Sequence, residues 1–129
     1  MPSVGSGRIF DLEDRTYRFA LSVRQFLRKL PRSIITEVDG RQLIRSSGSV
    51  GANYIEANDN VGDRDFLYRI KLCRKEAKES RFWLKLLLIE EPSLVAEERA
   101  ALANEADELM RIFAAIHRNS VAKKSSGKS

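Results

Sequence analysis

Residues 63–89, DRDFLYRIKLCRKEAKESRFWLKLLLI, decide how the rest of the chain is read. Phe66, Ile70, Cys73, Ala77, Ser80, Leu84 and then Leu87 or Leu88 recur at three- and four-residue steps. That is the 3.5-residue spacing of a seam packed against other helices. Asp63 is placed to cap the N-terminus, and Asp65 lies in the first turn, where a carboxylate meets the positive end of the helix dipole. The spacing predicts a helix from about Asp63 to Ile89. A helix with one apolar face needs others to cover it.

Three further segments answer that need. Pro31, Asn58–Gly62 and Glu90–Ser93 punctuate the chain. Before Pro31, Asp11 can cap a helix whose face is Leu12, Thr16, Phe19, Ala20, Val23, Phe26, Leu27 and Leu30. Ile34–Val38 reads as a lead-in turn to a helix from about Asp39 or Gly40 to Ala57. Its two lines are Leu43, Ser47, Val50, Tyr54 and Ile44, Gly48, Gly51, Ile55. Gly48 and Gly51 each cost ~1 kcal/mol against Ala in an isolated helix. A stretch so rich in small residues suits close approach of another backbone. The last helix runs from a Ser93 cap to about Ile116, with Val95, Leu102, Ala106, Leu109, Phe113 and Ile116 on its seam. The expected fold is all-α, an antiparallel up-down-up-down four-helix bundle over residues 11–119. Residues 1–10 are expected to be flexible, and 120–129 to form a disordered basic tail.

Composition agrees and narrows the function. The chain has 129 residues, 43% hydrophobic and 32% charged, enough for one domain with a core of its own. No run approaches the ~20 apolar residues of a membrane span, and Met1–Phe10 carries no secretory core. A single Cys points to a reducing, cytoplasmic setting. The net charge of +5 favours anionic partners, weakly.

Catalytic signals are poor. His117 is the only histidine, so a di-iron site built from Glu-x-x-His pairs is out of reach, and zinc ligands are too few. Cys73 sits on the apolar seam and reads as an inert thiol. The paired acids Glu90–Glu91, Glu97–Glu98 and Asp107–Glu108 read as solvated charge. Gly48–Gly51 matches the clamp loop of a KH domain only as four letters, and no sheet is predicted to carry it. Neither a catalytic residue, a metal nor a cofactor is expected.

Two features resist so plain a reading. The segment Asp63–Lys85 holds eight basic residues against four acids, whereas Ser93–Ile116 holds two against five. Arg64, Tyr68, Lys71, Lys75, Lys78, Phe82 and Lys85 step by four and three along one stripe opposite the seam, with Arg74 and Arg81 beside it. Cations interleaved with aromatic rings suit phosphate contact and base stacking. The plainer alternative is a wet face laced by Asp65–Arg69 and Lys75–Glu79 pairs. The second feature is Phe82–Ile89, where only Lys85 is polar. A helix end apolar on all sides needs cover beyond one bundle stripe, which marks Phe82, Trp83, Leu86 and Ile89 as an expected subunit interface.

The chain also resembles a known family. Gln42, Leu43, Arg45, Ser46, Ser49, Val50, Asn53, Ile55, Glu56 and Ala57, with Tyr54 inserted, resemble one motif of the 23S ribosomal RNA intervening-sequence proteins. Asp65, Phe66, Leu67, Ile70, Leu72, Cys73, Lys75, Glu76, Ala77, Glu79, Ser80, Phe82, Trp83, Leu84, Leu86 and Leu87 resemble a second, more specific block. The likeness spans roughly Ile9 to Phe113, with Gly51 where the family usually has Pro. The chain is similar also to accessory variability proteins of diversity-generating retroelements. These resemblances imply a left-handed four-helix bundle, a homopentamer, no catalytic residues, and nucleic acid or a reverse transcriptase as partner. They also imply structural roles for Asn53, Glu56, Glu76 and Glu79 between helices two and three.

Overall fold

The computed structural model describes residues 11–59 and 62–126. Within them lie four helices and no strand: α1 Leu12–Leu27, α2 Ile34–Asn58, α3 Asp63–Leu86 and α4 Leu94–Ser126. The expectation for residues 1–10 falls outside the described residues, as does that for 127–129.

Each helix packs on its chain neighbours, and α1 also meets α4 in a thinner seam. Pairings descend along one helix as they ascend along the next. Glu13 accepts from Asn58 at 3.0 Å, while Gly40 lies beside Leu27. Arg45 reaches Glu79 at 2.8 Å, while Arg69 reaches Asn53 at 3.1 Å. Arg81 is held by Asp107, while Arg99 turns back on the end of α3. This is the order that short turns between long consecutive helices produce.

The core takes the seam residues in order. Leu12, Phe19, Val23 and Phe26 from α1 meet Leu43 and Val50 from α2. Ile70, Cys73, Ala77 and Leu84 from α3 meet Ala106, Leu109 and Phe113 from α4. Tyr54 tilts against Phe113 across the interior at 5.7 Å between ring centroids. Small residues set the spacing. Ser80 donates to Ser46 at 3.0 Å inside the α2–α3 contact. The close approach expected near Gly51 is present, and its partner is Thr16 of α1. The thin α1–α4 seam is tied by Arg15, which pairs with Glu105 at 2.7 Å and Glu108 at 2.9 Å. The hydrogen bond with Glu105 holds the Arg15 guanidinium well above its usual range.

Helix ends differ from expectation in five places. α2 begins at Ile34, not Asp39, because the Ser33 hydroxyl accepts from the Thr36 amide at 3.0 Å. Ile34, Ile35 and Val38 are exposed, so they carry no core periodicity, which hid the helix start. α3 starts from Gly62 as N-cap with no side-chain cap; Asp63 is its first helical residue. It ends at Leu86, three residues short of Ile89, where Leu87 turns extended and buries its side chain in the core. α4 is capped by Ser93, as expected, through the Ala96 amide at 3.0 Å. It then runs on to Ser126, into the segment read as a tail, since neither Gly nor Pro interrupts it before Gly127. At α1, Asp11 occupies the cap position without a side-chain cap bond.

Candidate nucleic-acid interface

α3 fixes the candidate site because it lies between two helices. On one flank Arg45 of α2 bonds Glu76 at 3.3 Å and Glu79 at 2.8 Å, and Asn53 accepts from Arg69. On the other, Arg81 is paired with Asp107 of α4. Between these flanks one strip of the helix faces outward. Arg64, Tyr68, Lys71, Arg74, Lys75, Lys78, Phe82 and Lys85 are all exposed.

The strip is not uniformly charged. Lys75 lies 3.8 Å from Glu79, which Arg45 also holds, and Arg81 shares Asp107 with Arg111, so each of these two cations has a shared acidic partner within the chain. Arg64, Lys71, Arg74, Lys78 and Lys85 have no ion pair among the described residues. Tyr68 and Phe82, 57% and 56% exposed, stand near either end of that group. The expected set of eight therefore divides into five free cations, two paired ones and the exposed ring of Tyr68, over which the Arg69 guanidinium lies at 5.9 Å from the centroid. The Asp65–Arg69 pair of the plainer reading is present too, at 3.9 Å. It lies beside the strip and neutralises none of the five.

One neighbour was missed. His117 and Ala114 of α4 close a small hollow of about 110 Å³ against Lys71 and Arg74. His117 is expected in the last turn of this helix as a dipole or surface contact, and its spacing in the chain carries no signal of Lys71 and Arg74 beside it.

The expected apolar interface is split. Trp83 and Ile89 are half-buried against the chain's own core, Trp83 edge-on to Phe82 at 5.0 Å. Phe82, Leu86 and Leu88 are exposed. Leaving the helix after Leu86 is what covers Leu87 and Ile89. The free end of α3 is finished by Arg99, whose Nη1 donates to the carbonyls of Leu84, Lys85 and Leu87 at 3.2, 3.3 and 2.7 Å.

Asn53, Glu76 and Glu79 do join α2 to α3, through Arg45 and Arg69. Glu56 is exposed and takes no part in these bonds. Burial pushes the Cys73 thiol up to about 12, well away from nucleophilic chemistry at neutral pH. No group of three or more His, Cys, Asp or Glu among the described residues is placed to hold a metal ion. Nor is any helix among the described residues long and apolar enough to cross a membrane.

Comparison with known proteins follows the same lines. No curated protein matches the chain. A solved structure from Bacteroides thetaiotaomicron, a protein of unknown function from the S23 ribosomal protein family, is 26% identical. The match covers 81% of this chain and 96% of that one, with a TM-score of 0.67. Residues 10–115 match the 23S rRNA-intervening sequence protein family, most of the bundle and both recognised blocks, and the chain belongs to that family.

Proposed function

We propose that this chain is a non-enzymatic, oligomeric protein of the reducing cytoplasm that binds nucleic acid through the exposed strip of α3. The observation carrying the proposal is the five cations without acidic partners among the described residues, interleaved with two exposed aromatic rings. A wet face that balanced its own charge would have spent them on neighbouring carboxylates, as the α2 and α1–α4 contacts do. Unpaired cations favour phosphates, and an open ring gives a base a surface to stack on. The family's name links it to 23S rRNA, which makes RNA the first polyanion to test. Subunits arranged in a ring, five on the family resemblance, would repeat the strip and multiply its potential.

The test is Lys71→Glu, Arg74→Glu and Lys78→Glu together, all exposed and off the core. Binding of RNA or DNA by the wild type should depend weakly on sequence and steeply on salt. Log affinity should fall by ~0.7 to 0.9 per phosphate neutralised for each tenfold rise in salt. A folded triple variant that binds as tightly as wild type at low salt would overturn the proposal.

A second reading, a scaffold for a partner protein such as a reverse transcriptase, is favoured by the exposed Phe82, Leu86 and Leu88. Purified protein separates the two. A high 260/280 nm absorbance ratio that falls on a high-salt wash supports nucleic acid, and a stoichiometric protein partner supports the scaffold.

A further inference from the structure

Two surfaces at one end of the bundle have opposite character. The first is a groove of about 340 Å³ between the end of α1 and the start of α2, floored by Leu27, Leu30 and Ile44. That volume lies within the ~300–1,000 Å³ of ordinary binding clefts. Arg32 and Arg41 stand on its rim, and the adjoining hollow adds Arg24 and Arg28. None of the four has an ion pair among the described residues. Glu37 is the one acid on the groove's wall.

The second surface is the turn from α3 to α4. Leu88 and Leu94 stand 72% and 78% exposed, with Glu90 and Glu97 beside them and unpaired among the described residues. Glu91 is spoken for by Arg99 at 3.1 Å. The two surfaces share an end, because Lys29, next to the groove, bonds Glu98, next to the turn, at 2.7 Å. That bond shows the same basic and acidic edges meeting within one chain. Neither Leu88 nor Leu94 lines the groove of its own chain.

We infer that the arginine-rimmed groove receives the Leu88–Leu94 turn of a second copy of this chain. This rests on the oligomeric part of the proposed function and names the surface that makes it. Leucines enter an apolar floor, and glutamates meet guanidinium groups that form paired bonds with carboxylates. The groove's lining includes no aromatic ring, so nucleic acid has phosphate partners there but nothing for its bases to stack on. Each chain offers both halves, so the contact closes as a two-fold pair or continues around a ring.

The experiment is a charge exchange followed by sedimentation or light scattering at tens of micromolar. Arg32→Glu with Arg41→Glu should weaken self-association by about tenfold or more, since like charges then face each other across the contact. Glu90→Arg with Glu97→Arg should do the same. A chain carrying all four changes should recover association to within about threefold of wild type, the mark of two surfaces that touch. If the reversals disturb folding by circular dichroism, Arg32→Ala with Arg41→Ala replaces them and should still weaken association. A wild type that stays monomeric overturns this contact and the oligomeric reading together. A wild-type oligomer indifferent to both reversals, or not rescued by the combination, overturns the contact alone. So does a groove reversal that costs RNA affinity while leaving the mass unchanged.

Discussion

Thr16 fills the space into which a side chain at Gly51 would grow: a Cβ built on Gly51 would lie 2.9 Å from the Thr16 Oγ1 and 3.3 Å from its Cβ. Thr16 cannot easily yield, because its hydroxyl donates to the Leu12 carbonyl at 2.7 Å and is buried. The glycine that weakens α2 as a helix is therefore what lets α1 lie against it. Gly51→Ala should destabilise the protein by about 1–3 kcal/mol despite the ~1 kcal/mol gain in helix propensity. In a Thr16→Ala background the same change should become neutral or stabilising. Urea unfolding of the four proteins in the cycle measures it, and an unchanged penalty in that background would remove Thr16 as the cause.

Arg99 ends α3 in place of a glycine. Its guanidinium satisfies three carbonyls that the helix leaves unpaired, and it is only 13% exposed. Arg99→Ala should cost about 2–3 kcal/mol, the range of charge-assisted hydrogen bonds lost at a half-buried helix end. Arg99→Lys should recover only part, since the shorter lysine lacks the second nitrogen that bonds Glu91 at 3.1 Å while Nη1 holds the carbonyls. Equal stability of all three proteins would show that water serves these carbonyls as well.

The cations of α3 should not be equivalent. Lys78→Gln removes a free charge, whereas Lys75→Gln removes one already opposed by Glu79. The first should lower the salt slope of RNA binding by ~0.7 to 0.9, the second by clearly less. Titrations at several salt concentrations decide it; equal slopes for the two variants would mean that the surface pair dissolves on binding.

Cys73 makes stability depend on alkaline pH. Its ordinary value is 9.0 and burial raises it to about 12, so the folded state holds the proton more tightly than the unfolded one. The stability this contributes is complete below about pH 9 and is lost as pH rises towards 12. Cys73→Ala, compared with wild type across that window, should show a shallower decline. Iodoacetamide should label the native thiol slowly and the urea-unfolded chain at once. Rapid labelling of the native protein at neutral pH would contradict the buried seam.

The number of helices and the faces they bury were legible in the chain alone. Burial repeats locally every three to four residues, so Ile70, Cys73, Ala77, Ser80 and Leu84 declared their seam without reference to anything else. The specific block around Asp65–Leu87 likewise carried the family. Helix ends were less legible, because capping bonds such as Ser33 to Thr36 compete with misleading exposed residues such as Ile34 and Val38. What only the tertiary structure decided was which charges are free. Arg81 and Lys78 look alike in sequence, yet the partner of Arg81 is Asp107, on another helix and 26 positions away. The same holds for Leu87 and Leu88, adjacent in the chain, one buried and one exposed by a turn that Arg99 stabilises from α4. A charge or a loop end takes its role from whatever packs beside it, and that is set by the fold as a whole.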